Sequence, residues 1–184
     1  MTDNVKSLNA EAIRHAERGE FNDAITCLKC AIQMEKENYI LWLNLGITYR
    51  DAGEIALAKQ ALEKAFELNP ADITVLETLA IVSLSSGDLQ DAYNYCLTAI
   101  QLDENNAHIW NTTGVIYFND SEYEKACEAF ETAVMIDPYY YDALFNLRDT
   151  YDELGNTVGK EECIKRMKEI EKKGGINPCT IQHL

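Results

Sequence analysis

Between Tyr39 and Asp72 the apolar positions fall into two short runs of helical spacing. Trp42, Leu45, Gly46 and Tyr49 are three, one and three residues apart, which places them on one helical face. Asp51-Ala52-Gly53-Glu54 interrupts the run, and Gly53 stands where a helix C-terminus takes a positive φ. Ala58, Leu62 and Ala65, four and three apart, predict a second helix. Asn69-Pro70 ends it, because proline cannot continue the hydrogen-bond ladder. The stretch therefore predicts two helices folded back on each other. Gly46, Ala58 and Ala65 have short side chains, which lets the two axes lie close.

The frame returns every 34 residues. From Trp42, Leu45, Gly46, Ala58, Leu62 and Ala65 it leads to Leu76, Leu79, Ala80, Ala92, Cys96 and Ala99. One period further lie Trp110, Thr113, Gly114, Ala126, Phe130 and Ala133, and Pro138 repeats Pro70. One period back are Leu8, Glu11, Ala12, Ala24, Leu28 and Ala31. The turn glycine keeps step as Gly19, Gly53, Gly87 and Gly155, with Ser121 in place of the fourth. Five units, 5–38, 39–72, 73–106, 107–140 and 141–174, cover nearly the whole chain. Residues 1–4 are left as an N-terminal tail and 175–184 as a flexible C-terminal tail. In the first unit Glu11 takes a normally apolar place, as suits a helix with no neighbour before it. The last unit reads as a degenerate cap: Arg148 replaces the small residue and Lys160 an alanine. Cys163, Met167 and Ile170 restore an apolar stripe shifted by three, which points to a three-residue insertion in 155–159.

The pattern resembles the tetratricopeptide repeat, a 34-residue helix–turn–helix with an early Trp, a Leu-Gly pair, a Tyr, and then Ala, a bulky apolar residue, Ala and Pro. The resemblance implies an all-α fold: an α-solenoid of about five repeats and ten helices wound as a right-handed superhelix. It also implies that the first helix of each repeat lines a concave wall. In that family the wall binds an extended segment or a helix of another protein. Family geometry puts Asn9, Ile13, Leu43, Asn44, Ile47, Glu77, Thr78, Ile81, His108, Asn111, Thr112, Val115 and Asn146 on it. Ile13, Ile47, Ile81 and Val115 recur at the period and form an apolar stripe. Asn9, Asn44, Asn111 and Asn146 lie beside it, and an asparagine side chain can pair with a peptide backbone as donor and acceptor.

Members that grip acidic chaperone tails use Lys and Arg with Asn as a carboxylate clamp. The matching positions here are Asn9, Ile13, Asn44, Thr74 and Thr78, or Leu43, Ile47, Thr78, His108 and Thr112. Neither set holds a Lys or Arg, so a carboxylate would find little charge to offset its desolvation. No such clamp is expected, and the partner expected is an apolar or basic protein segment. The alternative is a structural unit that associates with its own copies, and a monomer or weak homo-oligomer is expected.

The charge fits a basic partner segment, and equally a surface that is acidic only for solubility, which is the more common reason for it. The net charge is −15, and residues 73–140 hold eleven acids and one base, Lys125. Nucleic-acid binding, which needs a basic footprint, is not expected. No apolar run approaches the ~18 residues of a membrane helix. The N-terminal stretch lacks the basic start and apolar core of a secretory signal, which favours the cytoplasm. The six cysteines are expected as reduced, mostly packed thiols. Cys27 and Cys30 have no second pair, and His15, His108 and His183 are scattered, so no metal site, cofactor or catalytic set is expected.

Overall fold

The protein is described here over residues 2–174, from a computed structural model. The described residues are all-α: α1 (Asp3–Glu17), α2 (Phe21–Met34), α3 (Tyr39–Asp51), α4 (Ile55–Leu68), α5 (Ile73–Ser85), α6 (Leu89–Leu102), α7 (Ala107–Asn119), α8 (Tyr123–Ile136), α9 (Tyr141–Glu153) and α10 (Thr157–Lys172). Each odd-numbered helix packs against the next even one as an antiparallel hairpin. The chain forms two compact units that divide between Leu102 and Asp103. The first holds α1–α6 and the second α7–α10.

The hairpin turns are built alike. Gly53 has φ +79°, its N–H reaches Arg50 O, and the Glu54 N–H closes onto Tyr49 O at 2.8 Å. These are the two bonds of a Schellman cap, which satisfy carbonyls the helix end leaves unpaired. The same closing bond runs from Glu20 to His15, Asp88 to Ser83, Glu122 to Tyr117 and Asn156 to Tyr151. Ser121 adopts φ +61°, so this turn keeps its shape although an L side chain is disfavoured there.

Close packing follows from the short residues. A Cβ on Gly46 would stand 2.5 Å from Leu62 Cγ, and one on Gly114 would stand 2.5 Å from the Phe130 ring. Ala58, Leu62, Ala65 and Leu79 are fully buried in the first unit, Ala126, Phe130, Ala133 and Leu144 in the second. The indole N–H of Trp42 donates to Lys36 O at 2.7 Å, and Trp110 does the same to Glu104 O at 2.8 Å. The recurring tryptophan therefore fills the hairpin and also pins the loop before its own helix.

Two expectations are corrected. Helix α1 starts at Asp3, inside the stretch expected as a tail. Thr2 caps it by accepting from Val5 N–H, and the Thr2 N–H donates to Glu35 Oε1 at 2.6 Å. The C-terminal tail, 175–184, lies outside the described residues. The expected insertion in 155–159 is absent, since α10 starts at Thr157, one full period after Tyr123. The helix is instead turned about its axis, so Cys163, Met167 and Ile170 are buried. Gly159 now makes the close approach: its Cβ position lies 2.7 Å from the Tyr151 ring. The turn keeps Lys160 out of the hairpin, where it pairs with Asp152 at 2.7 Å.

Position 83 carries a cost. Tyr49, Tyr117 and Tyr151 are its equivalents, but Ser83 is fully buried and its hydroxyl has no partner among the described residues. A buried hydroxyl without a hydrogen bond costs about 1–3 kcal/mol. Ser83→Ala is therefore expected to stabilise the first unit by about 1 kcal/mol in urea unfolding. An unchanged or lower midpoint would show that the hydroxyl is satisfied in solution.

Candidate functional site

The first helices of the hairpins lie beside one another within each unit: α1 by α3 and α3 by α5 in the first, α7 by α9 in the second. In the first unit Ile13 and Ile40 are exposed large apolar side chains, 43% and 41% accessible. Ile47 and Ile81 are half-buried. Beside them Asn44 Nδ2 donates to Asn9 Oδ1 at 2.8 Å, joining α3 to α1. The pair uses one donor of Asn44 and the oxygen of Asn9. Asn44 keeps its own oxygen and Asn9 its amide N–H groups for a further partner. Arg50, at the end of α3, is held by Asp51 at 2.8 Å.

The second unit repeats the device. Asn146 Nδ2 donates to Asn111 Oδ1 at 2.9 Å, joining α9 to α7. Val115 is half-buried next to this pair along the helix. His108 is exposed, with its ring 4.6 Å from that of Tyr140. Phe145 lies under the Arg148 guanidinium at 3.9 Å, and Arg148 also pairs with Asp149 at 2.6 Å. The α9 end of this wall is thus aromatic and partly cationic.

Four residues expected to touch a ligand are instead buried: Leu43, Thr78, Asn111 and Thr112. Thr78 Oγ1 donates to Thr74 O at 2.7 Å, one turn back on its own helix. Asn111 is only 7% accessible, and its oxygen holds Asn146. Its place is behind the wall, where it orients Asn146. Asn9, Ile13, Asn44, Ile47, Glu77, Ile81, His108, Val115 and Asn146 keep at least half-buried to exposed side chains. The spacing argument missed Tyr140, the last residue of the same repeat, whose ring meets His108, because period alone carries no signal for such a contact.

A separate groove of about 520 Å³ runs between α2 and α4 over α3. Ile32, Trp42, Leu45 and Tyr49 line it with exposed Leu57, and Lys29 and Lys64 are on its rim. Lys29 stands 5.6 Å over the Tyr49 ring, and Lys64 pairs with Glu67 at 2.7 Å.

The buried thiols of Cys127 and Cys163 are poor nucleophiles. Burial first, and then Glu131, pushes the Cys127 thiol up to about 12. Cys163 is raised by burial as well. Glu131 accepts from the Tyr151 hydroxyl at 2.6 Å, which also helps raise that phenol above its ordinary value of 10.0, after burial. Cys30, expected among the packed thiols, is exposed. No helix of the described residues is long and apolar enough to cross a membrane.

Known proteins share this architecture. The chain is 26% identical to the BBSome complex member BBS4 of Bos taurus over 170 residues, covering 92% of this chain and 32% of that protein. It spans about a third of the length of the BBS4 proteins of Bos taurus and Xenopus tropicalis, and less of several other relatives it matches. MamA (41-end) of Desulfovibrio magneticus RS-1 superposes with a TM-score of 0.78 at 21% identity, over 94% of this chain and 98% of that one. Pseudomonas aeruginosa PilF superposes with a TM-score of 0.83 at 15% identity, over 95% and 78%. Both likenesses are of fold. Residues 2–138 match the family model described as the cytochrome c-type biogenesis protein H TPR domain. With its hairpins, its Schellman turns and its period of 34, the chain belongs to this tetratricopeptide-repeat family, whose members mediate protein–protein interactions.

Proposed function

We propose that the protein is a binding module that holds a segment of another protein against the wall of first helices, without a catalytic step. The observation that carries this is the pairing of exposed Ile13 and Ile40 with an oriented Asn44–Asn9 amide pair on the same wall. Apolar side chains supply area-driven affinity. The amides left free on Asn44 and Asn9 suit a peptide backbone, whose donors and acceptors alternate. The partner segment is apolar with basic flanks, matching a chain of net charge −15. An acidic chaperone tail fits poorly, because the clamp positions hold no Lys or Arg. BBS4, named as a member of a complex, is consistent with a role as a subunit or adaptor.

The test compares two surfaces. Ile13→Ser with Ile47→Ser alters the wall, while Leu57→Ser alters the groove between α2 and α4. Affinity capture from native extract is expected to lose its specific partner by more than about tenfold with the wall pair, and to keep it with Leu57→Ser. Circular dichroism checks that both variants stay helical. Capture that survives the wall pair but fails with Leu57→Ser would move the site to the groove and end this reading.

A further inference from the structure

The first hairpin carries a cluster that the binding wall does not use. His15, in the last turn of α1, sits between two carboxylates. Its Nδ1 is 2.5 Å from Glu20 Oε2, and its Nε2 is 3.9 Å from Glu11 Oε1. Glu11 is one turn earlier on the same helix. Cys27 approaches from α2, and one ligand atom each from Glu11, His15 and Cys27 lie within 4.8 Å of one another.

The Glu20 contact decides which nitrogen is available. A separation of 2.5 Å between a ring nitrogen and a carboxylate oxygen requires a proton between them, so Nδ1 donates. In the neutral ring Nε2 then carries the lone pair, on the side of Glu11. A carboxylate on the far nitrogen, fixing tautomer and ring angle, is the usual support of a metal-bound histidine. A second set, His15 with Glu20 and Asp23, also lies within 4.8 Å. It would use the nitrogen already committed to Glu20, which makes it the weaker one.

We propose that Glu11, His15 and Cys27 form a binding site for a divalent transition ion of the zinc type, with Glu20 as the positioning carboxylate. One nitrogen, one sulfur and one oxygen donor suit zinc or cobalt(II) at metal–ligand distances of about 2.0–2.3 Å, with the fourth place left to water. Such ligands stand roughly 3.3–3.8 Å apart around a tetrahedral ion, so closure from the observed span needs about an ångström of side-chain movement. Glu11 is exposed and Cys27 half-buried, which leaves room for it. Binding forms the metal–sulfur bond and breaks the S–H bond of Cys27, with the proton released to solvent. The site ties α1 to α2 across their turn.

The test is a cobalt(II) titration of the full chain followed by optical absorption, with zinc as competitor. Wild type is expected to take up one equivalent with a thiolate-to-cobalt charge-transfer band, which zinc abolishes. Cys30→Ser and Asp23→Asn are expected to retain the band. Cys27→Ser is expected to lose it, and His15→Ala or Glu11→Gln to weaken uptake by more than about tenfold. Glu20→Gln is expected to lower affinity while keeping the band. No band in wild type, or a band that survives Cys27→Ser, would overturn the site. So would uptake shared equally by wild type, Cys27→Ser and His15→Ala, with circular dichroism confirming that each is folded.

Discussion

Phe130→Ala is expected to cost the second unit about 4 kcal/mol. Phe130 is 1% accessible and heads the fully buried side chains by volume. It packs between α7 and α8 against the surface that Gly114 leaves bare. Truncation removes the transfer free energy of the ring and leaves a cavity, and Phe→Ala changes in cores typically cost 3–5 kcal/mol. The hairpin cannot collapse onto the void cheaply, because Ala126 and Ala133 on the same helix are already fully buried. Chemical denaturation followed by near-ultraviolet dichroism, with hydrogen exchange over α7–α10, reads the effect. A loss below about 1 kcal/mol would mean that the hairpin can repack around the gap.

Gly46→Ala is expected to destabilise the first unit by about 2 kcal/mol, although alanine is the better helix former. Propensity favours the change by about 1 kcal/mol. Against it, the new Cβ would lie 2.5 Å from Leu62 Cγ and 2.7 Å from its Cδ2. Leu62 is fully buried, so its branch point cannot swing away without moving α4. Overpacking of this kind costs about 1–3 kcal/mol, and a contact to a buried branch carbon sits at or above the top of that range. Sterics therefore win. The decisive control is Leu62→Ala in the Gly46→Ala background. Leu62→Ala alone should cost 2–5 kcal/mol. Combined with Gly46→Ala it should cost clearly less than the sum, giving a favourable coupling of about 1 kcal/mol or more. Strict additivity would show that the two positions do not share the same space.

The two variants test a feature that was legible in the residues. Gly46 and Gly114 stand one helical turn before or after an apolar neighbour and two periods apart, and both meet a bulky side chain sixteen positions on. The candidate site was legible only in part. Recurrence placed Ile13, Ile47, Ile81 and Val115 on one register, but not the burial of Leu43, Thr78, Asn111 and Thr112. Period tells which residues are equivalent. It does not tell how deep each lies, because depth depends on how neighbouring first helices are spaced. The cap misled for a related reason. A shifted stripe in 163–170 has two physical origins, a longer loop or a turned helix, and both give the same spacing of apolar residues.

The sequence by itself determined the repeat, its turns and the places where side chains must be short. These follow from local rules: a positive φ at Gly53, a 3.6-residue face, and a missing Cβ where two axes approach. The tertiary structure alone decided who pairs with whom. Asn44 finds Asn9, Asn146 finds Asn111, and His15 comes to rest between Glu20 and Glu11 with Cys27 across the hairpin. Polar partners are chosen by the distance and rotation between helices, and neither quantity is written in the spacing along one of them.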